Sequence, residues 1–388
     1  MQNFDFQLPT KIVFGKDVLG RTGTEIAPEC RHVLLVSGQG SIHRNGVYDA
    51  VVRSLRQAGI RWTECQGISR NPTVSEVRGG VRLARQEKVD GILGVGGGSV
   101  VDAAKAMAAG AAGDADPWDY VTGTPLERAL PTFAVITLAA TGSELNGIGV
   151  LTNEKTNEKW PIKSPLLCPR VSIMDPATTF TVPSSYTAYG GVDAFSHVLE
   201  PYLVWPENNT PLQDRMAEAF ARTMIDATEV CVREPENYDA RATMMWGAAL
   251  GWCGIMRTGT GDARLPNHMI EHTLSALYGV AHGAGLSAVI PGWAKYMVVT
   301  NQLGKLPRLA RTVFDVEESD DKDAALAGIS AFEDWCRRID SPTRIGELDV
   351  PENDVQDIVA NVHNTAIAWG MSDVYTPATI EDIVHRCF

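Results

Sequence analysis

The run Val33-Leu34-Leu35-Val36 is apolar at every position and stops at Ser37-Gly38-Gln39-Gly40-Ser41. A strand with one wet face alternates apolar and polar residues, whereas an unbroken run suits a strand covered on both faces, as in a parallel sheet. Residues 92–95, 133–138 and 171–174 read as further strands, and 61–65 as another. Helical patterns fall between them. Val47, Val51, Val52, Leu55 and Ala58 share one stripe that Gly59 stops, residues 74–87 form a second helix, and residues 100–109 a third. Strand and helix alternating at this spacing predict βαβ units and a doubly wound parallel sheet. Lys11–Phe14 reads as an edge hairpin, and residues 147–152 and 159–162 as a hairpin around a polar turn.

After about residue 180 the texture changes, because strand signals vanish and long amphipathic helices take over. Thr210-Pro211-Leu212-Gln213 predicts a capped start, with Thr210 as cap, Pro211 in the first turn and Gln213 completing a capping box. Nothing interrupts residues 212–233 until Glu234-Pro235. Further helices are expected over residues 244–256, 324–339 and 355–369. At 388 residues the chain is too long for one small core. The expected division is an α/β domain over residues 1–180 and an all-helical domain over residues 181–388.

A net charge of -13 argues against a nucleic-acid partner, which needs a basic footprint. No run of eighteen or so apolar residues predicts a membrane-spanning helix, and the first residues lack the basic and apolar regions of a signal peptide. The 7 cysteines are odd in number and scattered, with no C-x-x-C pair. Neither a disulfide framework nor a cysteine metal site is expected. The reading is a reduced, cytoplasmic protein.

Chemistry concentrates in two places. Four of the chain's 8 histidines, His197, His268, His272 and His282, fall within one window of 86 residues in the helical half. Asp193 and His197 are four apart, so on a helix they share a face; His268 and His272 repeat that spacing. One carboxylate with several imidazoles suits a divalent transition metal rather than calcium or magnesium. The second place is Gly96-Gly97-Gly98-Ser99, where a strand feeds a helix and backbone N–H groups can hold a pyrophosphate. It is not G-x-G-x-x-G, and a plain tight turn would explain it equally well alone. A second polar turn over residues 137–143 follows another strand, so both can face one crevice at the carboxyl edge of the sheet. Together they favour a nucleotide site.

Gly96-Gly97-Gly98-Ser99-x-x-Asp102-x-x-Lys105, Thr141-Gly142-Ser143-Glu144, Gly191-Val192-Asp193-Ala194-x-x-His197 and the His268/His272/His282 series resemble the iron-containing (group III) alcohol dehydrogenases. The likeness spans nearly the whole chain and is nearest to the NADPH-dependent butanol dehydrogenase and aldehyde reductase branch. It implies a Rossmann-like parallel-sheet domain followed by an all-helical, dehydroquinate synthase-like domain. It implies metal ligands at Asp193, His197, His268 and His282. Helical spacing alone would have paired His272 with His268; the resemblance gives that place to His282 and sets His272 beside the nicotinamide, where it is the candidate proton relay. Gly279 and Gly283 predict that His282 comes from a loop or a new helix start. The implied metal is Fe²⁺, although Zn²⁺ suits the same donors.

The same resemblance implies pyrophosphate contacts at Gly97, Gly98 and Ser99. It implies further cofactor contacts at Asn71, Asp102, Thr137, Thr141, Asn146 and Lys159, and adenine contacts at Thr178, Thr179 and Thr181. Without it, Lys159 is a lysine in a solvated hairpin. An acidic residue after the strand at 33–36 would bind the ribose hydroxyls of NAD and repel a 2′-phosphate. Gly38 stands there instead, the loop is uncharged, and Ser41 can donate a hydrogen bond, which favours NADP(H); Arg44 is the nearby positive charge. The implied activity is interconversion of short primary alcohols and aldehydes by a homodimer joined through its N-terminal strands.

Two other readings compete. A dehydroquinate synthase-like lyase would need a basic phosphate pocket, and Arg257 and Arg264 make no cluster by the ligands. A metal-stabilised binding protein without turnover would have no use for both the ligand set and the two turns.

Overall fold

The computed structural model describes residues 1–204, 209–261 and 264–388. The chain forms two compact units, and they are not simply its two halves. One contains Gln7–Val182 and Pro235–Cys253; the other contains Met1–Phe6, Pro183–Glu234 and Gly254–Phe388. The two stretches outside the expected division have local reasons. Gln2 N–H donates to Gly259 O at 2.8 Å, which ties the N-terminus to the helical unit. The Pro235–Cys253 stretch packs on the α/β unit where a Cβ on Gly142 would stand 2.8 Å from Ala248 O.

Through residue 182 the elements are β1 (Lys11–Phe14), α1 (Thr22–Ile26), β2 (His32–Ser37), α2 (Ser41–Arg44), α3 (Val47–Gln57) and β3 (Arg61–Cys65). Next come α4 (Val74–Gln86), β4 (Gly91–Gly96), α5 (Gly98–Ala112), α6 (Pro117–Val121) and β5 (Thr132–Ile136). The hairpin β6 (Ile148–Asn153) and β7 (Glu158–Lys163) precedes β8 (Val171–Met174). Six strands make a parallel sheet in the order β1-β8-β5-β4-β2-β3, as the apolar runs predict. Leu35, Leu93, Val135 and Ile173 feed a core on one face; Leu34, Val36 and Ile92 feed a core on the other. Each such fully buried side chain contributes about 1.5–3 kcal/mol.

Lys11–Phe14 is not a hairpin. It lies parallel to β8, Lys11 opposite Val171 and Phe14 opposite Met174, and only Val13 is buried. A partner nearly the whole domain away in sequence leaves no local signal. α4 is closed by a reciprocal capping box, Thr73 with Glu76, each side chain engaging the other residue's N–H.

The remaining helices are α7 (Ser184–Val204), α8 (Pro211–Arg233), α9 (Tyr238–Gly251), α10 (Pro266–Tyr278), α11 (His282–Val299) and α12 (Leu306–Val313). α13 (Asp321–Arg338), α14 (Val355–Ala368) and α15 (Pro377–Cys387) complete the chain. The expected capping box at Thr210 does not form: Thr210 holds the cap position without a side-chain cap bond. Gln213 Nε2 donates instead to Thr258 O at 2.9 Å, so a tertiary contact outcompetes the local one. Among the described residues no helix is long and apolar enough to cross a membrane.

Glycines let four helices converge. A Cβ on Gly191 of α7 would stand 2.2 Å from Thr228 Oγ1 of α8, and one on Gly283 of α11 would stand 2.0 Å from Tyr189 O of α7. A Cβ on Gly285 of α11 would stand 2.7 Å from Glu271 Cγ of α10. No side chain fits at these crossings, which draw together α7, α10 and α11, the helices that carry His197, His268, His272 and His282.

Candidate functional site

α7 presents Asp193, His197 and Glu200 from successive turns, α10 presents His268, Glu271 and His272, and His282 is the first residue of α11. α10 ends at Gly279, whose φ of 68° lies in the left-handed region that glycine tolerates; three residues later α11 begins. His282 therefore comes from a new helix start.

One ligand atom each from Asp193, His268 and His282 lie within 4.8 Å of one another. His197 joins them, with Nε2 3.4 Å from Asp193 Oδ1, and His282 Nε2 is 3.5 Å from the same oxygen. Donors ~2.1 Å from one tetrahedral ion stand ~3.4 Å apart. The set of one carboxylate and three imidazoles is that of a transition-metal site. On spacing and on chemistry, these four residues fit a divalent metal.

The spacing patterns gave no sign of the carboxylates behind them. Glu200 Oε2 lies 2.5 Å from His268 Nδ1, and Glu200 also accepts from Asn267 N–H at the start of α10. Glu271 engages His282 Nδ1 and accepts from Ser275 Oγ–H, and Ser275 Oγ also lies 3.0 Å from Val280 O. Each carboxylate occupies Nδ1 and leaves Nε2 as the nitrogen that could meet an ion, and His282 Nε2 faces Asp193. Glu200 stands three residues after His197, on the same helical face, which is the one sequence trace it leaves.

Burial, then the neighbouring His268, His282 and Arg257, hold His197 well below the usual imidazole range, so it is neutral as a ligand must be. His268 feels burial in the same direction, but Glu200, with Asp193 and Glu271, outweighs it and the net shift is upward. His272 stands slightly apart. Its ring centroid is 5.5 Å from that of His282 and 6.3 Å from that of His268, and Trp369 meets it edge-on at 5.3 Å. One ligand atom each from His272, Glu271 and His282 also lie within 4.8 Å of one another.

In the α/β unit the glycine turn and the second polar turn are neighbours by strand register. Gly96 ends β4 opposite Ile136 of β5, and Thr137 N–H donates to Gly96 O at 3.0 Å. Ser37 at the end of β2 lies opposite Val95. Gly38, Ser41, Gly97, Gly98, Ser99, Thr137 and Thr141 thus follow adjoining strands at one carboxyl edge, where doubly wound sheets bind nucleotides. A Cβ on Gly98 would stand 2.2 Å from Thr141 Oγ1, so the two turns touch. Ser99 donates its hydroxyl to Arg70 O, and Ser69 Oγ donates to Asn71 O at 2.8 Å, which holds the Asn71 loop at the same edge.

Several implied contacts are committed within the protein. Thr178 Oγ1 lies 2.9 and 2.7 Å from Ile136 O and Asp175 O, which share its one O–H; Thr179 donates to Pro176 O at 2.7 Å, and Thr181 Oγ1 accepts from Asn45 Nδ2 at 3.3 Å. Asn146 Nδ2 donates to Gly142 O at 2.8 Å while its Oδ1 accepts from Ile148 N–H at 2.8 Å. Asp102 is buried; burial raises its pKa against the opposing pull of Lys105, Ser143, Val150 N–H and Lys159. Lys159 is not solvated. It is 6% exposed, on the hairpin that packs over α5.

Replacing Glu271 by Ala is expected to weaken divalent metal binding about 10–100-fold, because His282 loses the partner that fixes its ring. Competition with a chromophoric chelator measures it, and unchanged affinity with intact helix content would contradict the role given to Glu271.

The geometry can be set beside known proteins. A family model described as iron-containing alcohol dehydrogenase matches residues 9–176, and one for the C-terminal part of that family matches residues 187–388. The probable NADH-dependent butanol dehydrogenase 1 of Bacillus subtilis is 40% identical over 388 residues, covering 99% of this chain and 98% of its own. The NADPH-dependent aldehyde reductase YqhD of Escherichia coli is 34% identical, over 89% of each chain. The crystal structure of NADH-dependent butanol dehydrogenase A from Thermotoga maritima gives a TM-score of 0.95 at 42% identity, covering 100% of this chain and 99% of that one. The chain therefore belongs to the iron-containing alcohol dehydrogenase family, whose members pair a nicotinamide cofactor with a divalent metal.

Proposed function

We propose that the protein interconverts short primary alcohols and aldehydes by NADP(H)-linked hydride transfer at a metal centre held by Asp193, His197, His268 and His282. The carrying observation is the convergence of the Asp193, His268 and His282 donor atoms within 4.8 Å, in a chain of this family. When bound, the metal supplies Lewis acidity toward the substrate oxygen and the nicotinamide carries the hydride. Asp193 contributes the anionic donor, and Glu200 and Glu271 fix the imidazoles before substrate arrives. Fe²⁺ is the ion the family implies, while the same donors would hold Zn²⁺ more tightly at equilibrium. A ring nitrogen of His272 passes the proton between the substrate oxygen and solvent. Its support is a place beside two ligands, with Glu271 and Ser275 behind His282 rather than behind His272 itself.

Relatedness does not choose the nucleotide, since the relatives above are named for both NADH and NADPH. The ground for NADP(H) is the loop after β2. It has Gly38 where an NAD-specific carboxylate would stand, and Arg44 folds back so that its Nη1 lies 3.5 Å from the position of a Cβ on Gly40. A guanidinium there suits a 2′-phosphate. A homodimer through the N-terminal strands belongs to the same proposal; β1 is an edge strand paired only with β8 in its sheet.

The direct test is oxidation of NADPH and of NADH over short straight-chain aldehydes. NADPH should give the higher kcat/KM, and Arg44→Ala should reduce that value about tenfold while leaving NADH within experimental error. A preference for NADH that Arg44→Ala does not alter would overturn the nucleotide assignment. Independently, His272→Ala should lower kcat by about 10²-fold or more at unchanged metal content. Loss of the metal from that variant would make His272 a ligand instead.

A further inference from the structure

Lys105 closes the glycine-turn motif, yet nothing in the proposed chemistry uses it. It lies in the middle of α5, 0% exposed, and is among the largest fully buried side chains of the protein. Four oxygen atoms surround its Nζ within hydrogen-bond reach of its three N–H groups: Ser143 O at 2.5 Å, Ser143 Oγ at 2.8 Å, Ile148 O at 2.7 Å and Asn146 Oδ1 at 3.3 Å. All four acceptors belong to the stretch that carries the chain from the second polar turn into β6. Ser143 Oγ donates onward to Asp102 Oδ1 at 2.6 Å, and Asp102 sits one turn earlier on α5. The helix therefore grips the turn twice, by the cation directly and by the carboxylate through a hydroxyl.

A methionine would fill the same space without charge. Burying an ammonium is unfavourable unless its hydrogen bonds are met. Burial pulls the Lys105 pKa down to about 8, against the opposing charges of Asp102, Cys168 and Glu144. What the cation provides is a grip on oxygen atoms of the turn, at the point where a Cβ on Gly98 would meet Thr141 Oγ1 at 2.2 Å.

We propose that Lys105 is a positioning residue for the dinucleotide: it locks residues 141–146 to α5 and so fixes Thr141 against the Gly97–Ser99 amides before the nucleotide arrives. This rests on the reading that these two turns hold the nucleotide. Preorganised donors spare a ligand the ordering of the loop, so their loss falls on affinity rather than on the chemical step.

The experiment titrates NADPH and NADH into the metal-loaded protein, following tryptophan fluorescence, with metal content and kcat measured on the same samples. Lys105→Met should raise the Kd of the preferred nucleotide about tenfold. Its metal content should stay unchanged, and its kcat at saturating nucleotide should stay within about threefold. A merely structural role would lower the folded fraction without moving the Kd of what remains folded, and an unmoved Kd overturns the proposal. If Lys105→Met does not fold, Ser143→Ala decides. It removes the hydroxyl acceptor and the bridge to Asp102, and should raise Kd about threefold; an unmoved Kd again overturns the proposal. Gly98→Val separates the two levels of the argument. Unchanged binding in that variant defeats the turns as the nucleotide site, whereas weakened binding there with unmoved Kd in Lys105→Met defeats only the lysine's role.

Discussion

Asp193, Glu200 and Glu271 are 2%, 1% and 0% exposed inside one helical unit. An ionised carboxylate taken out of water loses several kcal/mol of hydration, on the order of a protein's whole stability for a few of them, unless other groups answer the charge. Much of the unit's design is that answer. Glu200 takes an N–H from the start of α10 and a nitrogen of His268; Glu271 takes the Ser275 hydroxyl and a nitrogen of His282. Asp193 faces the remaining nitrogens of His197 and His282. With neutral imidazoles, three negative charges remain, and a dication held by the cluster would offset two of them. Arg257, near enough to depress His197, faces the same cluster. A metal held there would thus be as much a condition of burying these residues as a reagent.

Close backbone approach is the second dependence. The start of α11 reaches α7 only because residue 283 has no side chain, and the His282 ring is aimed by that contact as well as by Glu271. The α/β unit uses the same device for another purpose. There Gly98 lets the two turns meet, and Lys105 and Ser143 hold them so. In both units the functional atoms belong to ordinary residues; glycine contacts and buried charges decide where they stand.

What the sequence makes legible follows from how local each signal is. Apolar runs marked β2, β4, β5 and β8 because burial on both faces is recorded residue by residue. The i, i+4 spacing of Asp193 with His197 put both on one helical face, but the same rule pointed to His272 rather than His282, since a residue at a separate helix start has no periodic trace. Glu200 and Glu271 read as unremarkable helix charges, and Lys159 as a solvated one, because pairing across elements is invisible in one strand of text. β1 and Thr210 failed for a related reason: a parallel partner 160 or so residues away and a tertiary contact from Gln213 each displaced a plausible local arrangement.

The most direct measurement is a divalent-metal titration of chelator-stripped protein, read by thermal unfolding and by alcohol oxidation, in the natural chain and in Asp193→Asn. The account predicts one equivalent bound per chain, a higher Tm and restored turnover in the natural chain, with all three lost in the variant. Full Tm and full turnover in the stripped protein, or metal bound equally well by Asp193→Asn, would contradict it.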